Sequence, residues 1–189
     1  AILFFVAILT IALHSMRPTQ FTSALSESTK TLLGAGFVLI FTVPMVRIYI
    51  NSDVNALGLQ SMPIAMADWV SINVGAVWPF FAPFIGALGA FIAGSNTVSN
   101  LMFTLFQYGV ASALSISGAM IVALQAVGAA AGNMIAIHNV VAASATVGLL
   151  GQEGATLRRT ILPTIYYLVA TGCLGLLAIY LIGVTDPLS

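Results

Sequence analysis

A stretch of 84 consecutive residues, 69–152, contains no Asp, Glu, Lys or Arg. In the whole chain of 189 residues, 5% are charged and 60% are hydrophobic, whereas soluble domains carry about 25% charged residues. So few charges cannot cover the surface of a soluble domain, and they form no basic face for nucleic acid. The long apolar runs therefore predict an all-α integral membrane protein embedded in a lipid bilayer.

A polar, glycine-led segment, GSNTVSN at residues 94–100, interrupts the uncharged stretch. Within a bilayer, such an interruption is tolerated where it is buried in protein or lines a cavity. We therefore predict a re-entrant hairpin with arms at 70–94 and 97–112. Its tip is expected at Ser95 and Asn96, and the prolines of the first arm are expected to bend it.

A second polar segment, GNMIAIHN, occupies residues 132–139. It predicts a broken transmembrane helix with halves at 116–131 and 140–150. Small residues spaced four apart also predict close contacts between helices. They are Gly86, Ala90 and Gly94 in the hairpin and Gly128 and Gly132 in the broken helix.

The hairpin tip is the first candidate binding site. Ser, Asn and Thr favour the start of a helix. A helix that begins inside the membrane points free N–H groups and its positive dipole end at a ligand. The site therefore suits a carboxylate, although the same side-chain oxygens also suit a cation, and an ordinary polar turn is a third interpretation. The candidate residues are Ser95, Asn96, Thr97 and Asn100.

The break in the second helix is the other candidate site, formed by Gly132, Asn133, His138 and Asn139. Glycine permits an unusual backbone angle, and asparagine both donates and accepts hydrogen bonds. His138 is the one histidine of the uncharged stretch. Its ordinary pKa of about 6.5 suits a proton carrier, and a neutral histidine bonded to the backbone is the alternative.

Two charged residues precede the uncharged stretch closely enough to act with it. Arg47 ends a predicted span at 31–50, where it serves either as a counter-charge for an entering anion or as a side chain that reaches interfacial water. Asp68 precedes Trp69 and caps the hairpin arm, lies at the membrane interface or takes part in proton coupling.

Signals of enzymatic chemistry are absent from the sequence. It has no paired-carboxylate motif, no glycine-rich phosphate loop and no nucleophile elbow. Its single cysteine excludes a thiolate cluster within the chain. We therefore predict neither an enzyme nor a resident cofactor or metal.

Basic residues predict an orientation in the membrane. If the broken helix crosses once and the hairpin causes no net crossing, four of the five basic residues fall on one side. The excess of positive charge marks that side as cytoplasmic. The predicted cytoplasmic loops carry Arg17 and Lys30, and Arg158 and Arg159.

Long stretches of the sequence resemble the L-lactate permease family, namely residues 77–100 and 132–148, followed by 151–154 and 157–160. The resemblance implies a carrier that moves lactate, and glycolate, with a proton across the cytoplasmic membrane. Families of this wider ion-transporter group have two inverted halves, each with a Ser-Asn-Thr hairpin tip and a broken helix. Residues 1–189 then correspond to the C-terminal part of one transport domain, and the N-terminal half lies upstream.

Together these observations give one hypothesis and two alternatives. A small 2-hydroxy monocarboxylate binds the N–H groups of the tip, and Asn100, Asn133 and Asn139 bind its carboxylate or 2-hydroxyl. His138 is the first candidate for proton coupling. Sodium coupling is one alternative, and a membrane subunit that does not transport is the other.

Overall fold

A computed structural model of the chain describes residues 2–149 and 151–186. Every regular element in that part of the chain is helical, which confirms the predicted all-α class. The chain divides into two compact units, one up to Met45 and one from Val46 onward. The second unit contains the candidate sites.

The first unit contains helix α1 (Ile2–Leu13) and most of helix α2 (Pro18–Ile50). The prediction that Lys30 lies in a loop is wrong, because its backbone is part of α2. Proline suits a first helical turn, since its φ is preset and its missing N–H is not needed there. The backbone N–H of Arg17 also donates to Oε1 of Gln20 at 2.9 Å, which further fixes this helix start.

The second unit begins with the last turn of α2 and continues into α3 (Met62–Asn73) and α4 (Trp78–Ala93). A 3₁₀ turn at Gly75–Val77 separates α3 from α4 and divides the predicted first arm of the hairpin. Gly75 adopts a φ of 59°, which glycine reaches without strain. Pro79 lies in the first turn of α4, so it starts this helix rather than bending it, whereas Pro83 lies inside it.

Helix α5 (Asn96–Ala113) follows α4 after two residues, Gly94 and Ser95, and packs against it. The two helices form the predicted hairpin, and its tip is one residue earlier than expected. The shift arises because Ser95 caps the helix, so Asn96 is already the first residue of α5.

The broken helix consists of α6 (Gly118–Gly132) and α7 (Ile137–Thr146), bent by 42°. Its second half starts three residues before the predicted range 140–150, and residue 150 lies outside the described residues. Helix α8 (Glu153–Leu176) continues as a π-helix to Ile182. Arg158 and Arg159 belong to the second turn of α8, so the predicted loop placement is wrong for them too.

Helices α4 and α6 meet along a seam of small residues. A Cβ on Gly128 would overlap the carbonyl oxygen of Pro83, and one on Gly132 would overlap that of Ala87. In the opposite direction, a Cβ on Gly86 would overlap the carbonyl oxygen of Gln125. The two backbones are therefore in direct contact, which confirms the close packing predicted from the glycine spacing.

The outer surface of the second unit fits a bilayer. In the described residues, Gly75–Ala93 and Glu153–Ile182 are long and apolar enough to span a membrane, and the α6–α7 pair provides a third candidate span. Large apolar side chains point outward, and Leu162 is 74% exposed. Such a surface is stable in lipid rather than in water.

Candidate functional site

The hairpin tip is a left-handed glycine followed by a helix cap. Gly94 has a φ of 61° and ends α4. The side-chain oxygen of Ser95 accepts a hydrogen bond from the backbone N–H of Val98 at 3.4 Å. The first N–H groups of α5, those of Asn96 and Thr97, have no acceptor in their own helix. They form the electropositive end of this half-helix.

The break between α6 and α7 is a tightened turn. Asn133 caps the end of α6, and its N–H bonds the carbonyl of Ala130 at 3.3 Å. The structure corrects the extent of the break, because α7 starts at Ile137 and includes His138 and Asn139 in its first turn. Both side chains are therefore held by a helix rather than by a loop.

The tip and the break meet, which brings predicted residues of both motifs together. The amide nitrogen of Asn139 lies 3.4 Å from the carbonyl oxygen of Gly94. It lies equally far from the backbone and side-chain oxygens of Asn133. The imidazole of His138 covers Gly94 so closely that a Cβ there would overlap its ring. We call this contact, made by Gly94, Asn133, His138 and Asn139, the tip–break junction.

The hydrogen bonds of the tip–break junction are long. One amide nitrogen carries two hydrogens, so it cannot donate fully to three oxygens. Distances of 3.4 Å are at the weak end of the range for N–H···O bonds. These groups can therefore exchange their partners for a ligand at little cost.

Asn96 and Asn100 form a pair on the first turn of α5. The amide of Asn100 donates to Oδ1 of Asn96 at 3.1 Å, but Oδ1 of Asn100 is buried without a partner. Thr97 and Asn100 line an open cavity of about 600 Å³ beside α5, to which Ile50 of α2 also contributes. The buried oxygen is an unused acceptor next to this cavity.

Arg47 and Asp68 occupy different positions relative to the tip. Arg47 is exposed in the last turn of α2, three residues before Ile50, and residues at this spacing share a helix face. Asp68 is exposed on α3, where its neighbour Ala67 packs against Gly109 of α5. Gly109 is about 20 Å along the helix axis from Asn96, so Asp68 is not brought to the tip.

A buried hydrogen-bond network at the centre of the second unit was not predicted from the sequence. Trp78 donates to Oε1 of Gln107 at 2.8 Å, and Gln107 donates to Oε1 of Gln125 at 2.9 Å. Gln125 donates to Ser99 at 3.2 Å, which donates to the carbonyl of Gly86 at 2.7 Å. We call this chain the glutamine network. The sequence signal for this network was the presence of two glutamines in apolar helices, because a polar side chain in a membrane interior needs hydrogen-bond partners from neighbouring helices.

Asp186 was also missed. Its carboxylate accepts hydrogen bonds from the backbone N–H groups of Gly118 and Ala119, each at 2.9 Å, and from the hydroxyl of Ser117. The Ser117 hydroxyl, followed by the backbone donors, lowers the pKa of Asp186. The C-terminal segment thereby caps the helix that leads to the break.

The fold and its polar breaks are those of an all-helical membrane permease. The chain belongs to the L-lactate permease family, whose sequence model matches residues 1–182. Its relatives are named permeases, that is, transporters rather than enzymes, as predicted.

Three relatives illustrate the match. The chain is 31% identical to the L-lactate permease of Escherichia coli K12, over 94% of this chain and 31% of that protein. It is 36% identical to the L-lactate permease of Bacillus subtilis, over 50% and 17%. It is 33% identical to the glycolate permease GlcA of Escherichia coli K12, over 59% and 20%. The chain spans about a third or less of these relatives, and no solved structure matches it.

Proposed function

We propose that this chain forms the substrate site of a secondary carrier for L-lactate and related 2-hydroxy monocarboxylates such as glycolate. The observation that carries the proposal is the tip–break junction, where a helix N-terminus meets weakly bonded amides inside a membrane protein. The names of the lactate and glycolate permeases among its relatives support this substrate class.

The substrate carboxylate is assigned to the backbone N–H groups of Ser95, which caps α5, and of Asn96 and Thr97, which begin it. A helix N-terminus binds an anion without a fixed positive charge, so the anion can also be released. Asn100 offers a free acceptor for the 2-hydroxyl. Asn133 and Asn139 complete the site from the break. Gly132 ends α6 without the unusual backbone angle expected for it, and its missing side chain lets α6 approach Ala87 of α4 beside the site.

Proton coupling is assigned to His138, which lies against the tip. Histidine can carry a proton, and a protonated imidazole at this position would act directly on a bound carboxylate. Asp68 is the second candidate, through the α3–α5 contact. Arg47 is proposed to attract the anion towards the cavity that Ile50 lines.

Sodium coupling is the alternative that a specific observation favours. Three oxygens of Gly94 and Asn133 converge on a single point, now occupied by the amide nitrogen of Asn139. Carbonyl and amide oxygens of broken helices are typical ligands of a coupling ion in secondary transporters.

Uptake of radiolabelled lactate by vesicles that contain the complete carrier separates the two ions. With proton coupling, an inward proton gradient drives uptake in the absence of sodium, and His138→Gln abolishes that response. Sodium dependence without any response to the pH gradient would exclude the proton assignment. If Asp68→Asn instead of His138→Gln abolishes the response, the coupling residue is Asp68.

A substitution at the tip tests transport itself. We expect Asn96→Ala to lower lactate uptake about tenfold or more, because it removes a binding contact and the partner of Asn100. Asn73→Ala, on an exposed asparagine of α3, is the matched control. Unchanged uptake in both variants would favour a subunit that packs in the membrane without transporting.

The orientation and the missing half complete the proposal. We place Arg17, Lys30, Arg158 and Arg159 on the cytoplasmic side of the cytoplasmic membrane, because positive charge favours that side. We also propose that an inverted N-terminal half of the same chain completes the carrier. Reaction of an Arg158→Cys variant with an impermeant thiol reagent in intact cells would show that the opposite orientation is correct.

A further inference from the structure

Hydrogen-bonding side chains follow one face of α5 from the hairpin tip towards the other end of the helix. Intervals of three, four and four residues keep them on a single face. Its members are exposed or half-buried, whereas Ser99 and Gln107 of the same helix are fully buried. We call it the hydroxyl row, because three of its four members carry a hydroxyl group and the fourth an amide. The members are Thr97, Asn100, Thr104 and Tyr108.

The hydroxyl row faces a cavity rather than packed protein. Its four members line the open cavity of about 600 Å³ together with Leu101, Leu105 and Ile50. An acceptor left without a partner costs about 1–3 kcal/mol, and Oδ1 of Asn100 is such an acceptor. A cavity with hydrogen-bonding groups on one side and aliphatic groups on the other suits a small amphipathic molecule.

The length of the hydroxyl row matches the depth of the site. From Thr97 to Tyr108 the helix rises about 17 Å, compared with about 15 Å for half the hydrocarbon thickness of a bilayer. At the far end, the ring of Tyr108 packs against Gly118, the first residue of α6, where Asp186 caps the helix. The row therefore leads from the tip to the end of the bundle where the α5–α6 loop lies.

We propose that the hydroxyl row lines a hydrated entry path for the hydroxy monocarboxylate, from the α5–α6 loop to the hairpin tip. This inference rests on the proposed function and its orientation, which places that loop on the outer side. Water and substrate replace the missing partners of the row, and the aliphatic residues contact the substrate's hydrocarbon part. Arg47, one turn before Ile50 on the same helix, draws the anion towards the path.

Cysteine accessibility tests the path. Thr104→Cys and Tyr108→Cys are made in a background without other reactive cysteines, in which Cys173 is alanine, and tested in intact cells with a negatively charged, impermeant thiol reagent. We expect both to react at least about tenfold faster than Leu162→Cys, whose position on α8 faces lipid, because a thiolate forms where water reaches the thiol. Modification should abolish lactate uptake, and saturating lactate should slow the reaction.

The outcomes separate the path from the function. If the unmodified variants transport lactate but Thr104→Cys and Tyr108→Cys react no faster than the control, the proposed entry path is wrong and the proposed carrier function still holds. Rapid reaction without loss of uptake also overturns the path. If either variant fails to fold, Leu101→Cys and Leu105→Cys test the same cavity. Absence of lactate uptake in the unsubstituted carrier would reject the function instead, independently of the reactivity.

Discussion

The glutamine network and the tip–break junction are both polar regions of an apolar bundle, the first buried and the second half-exposed, and they use their polar groups differently. In the glutamine network, each donor has an acceptor at 2.7–3.2 Å, and both glutamines are fully buried. In the tip–break junction, one amide nitrogen is shared among three oxygens at 3.4 Å. The first region is saturated, and the second is not.

This difference separates structural from functional polarity. In a saturated network every buried polar atom already has a partner, and losing the network leaves several buried groups without partners. An unsaturated junction costs stability in the empty state, and a ligand that supplies the missing bonds recovers that cost. The contrast predicts that substitutions in the network affect folding, whereas substitutions in the junction affect transport.

The largest effect that separates the two regions is expected at Gly94. Gly94→Ala places a methyl group in the imidazole of His138 as well as straining a left-handed residue, so we expect lactate uptake to fall about tenfold or more. Gly148→Ala is the matched control, because its φ of 74° imposes the same strain of about 1–2 kcal/mol with open space around it. Equal uptake in the two variants would show that the contact with His138 is not needed.

The second effect compares stability directly. Gln125→Leu removes one hydrogen-bond partner from each of Gln107 and Ser99, so we expect the free energy of unfolding to fall by about 2 kcal/mol or more. Asn139→Ala should cost less than about 1 kcal/mol, yet lower uptake about tenfold. Thermal unfolding in detergent and uptake in vesicles measure the two quantities, with Gln60→Leu as an exposed control. If Asn139→Ala destabilises the protein as much as Gln125→Leu does, the distinction between the two regions fails.

The smallest effect concerns Asp186, which contributes to neither region. Its pKa is lowered in the folded protein, so its stabilising effect is present above the usual value of 3.8 and disappears as the pH falls through the lower folded value. Asp186→Asn should therefore lower the melting temperature at neutral pH, and the difference from the unsubstituted protein should shrink below pH 3.8. A difference that does not change with pH would mean that the carboxylate charge is irrelevant to the cap.

Local chemistry in the sequence was sufficient to predict the hairpin, the broken helix and their close packing. Gly94 followed by Ser95 is a helix end followed by a helix start, and the structure places both there. The glycine spacing in α6 predicted a close helix contact, because a row of small residues allows close approach whichever helix packs against it. The structure identifies that helix as α4.

Contacts between distant residues could not be predicted in this way. Gln107 and Gln125 meet only because α5 and α6 pack at a particular register, and Asp186 reaches Gly118 from 68 residues away. The start of α7 was misplaced because an Ile-Ala-Ile-His run carries no cap residue to mark it. The sequence also does not tell which asparagines pair with each other, because all four have the same side chain. They are Asn96, Asn100, Asn133 and Asn139.

The position of Gln125 also has a consequence for biosynthesis. Helices α4 and α5 leave the ribosome before α6, and at that stage Ser99 and one N–H of Gln107 lack the partner that α6 supplies. A hairpin with such groups is poorly suited to enter lipid by itself, because the hydrocarbon offers no substitute. We therefore expect the hairpin to wait beside the translocon until α6 emerges, so that the three helices enter the bilayer together.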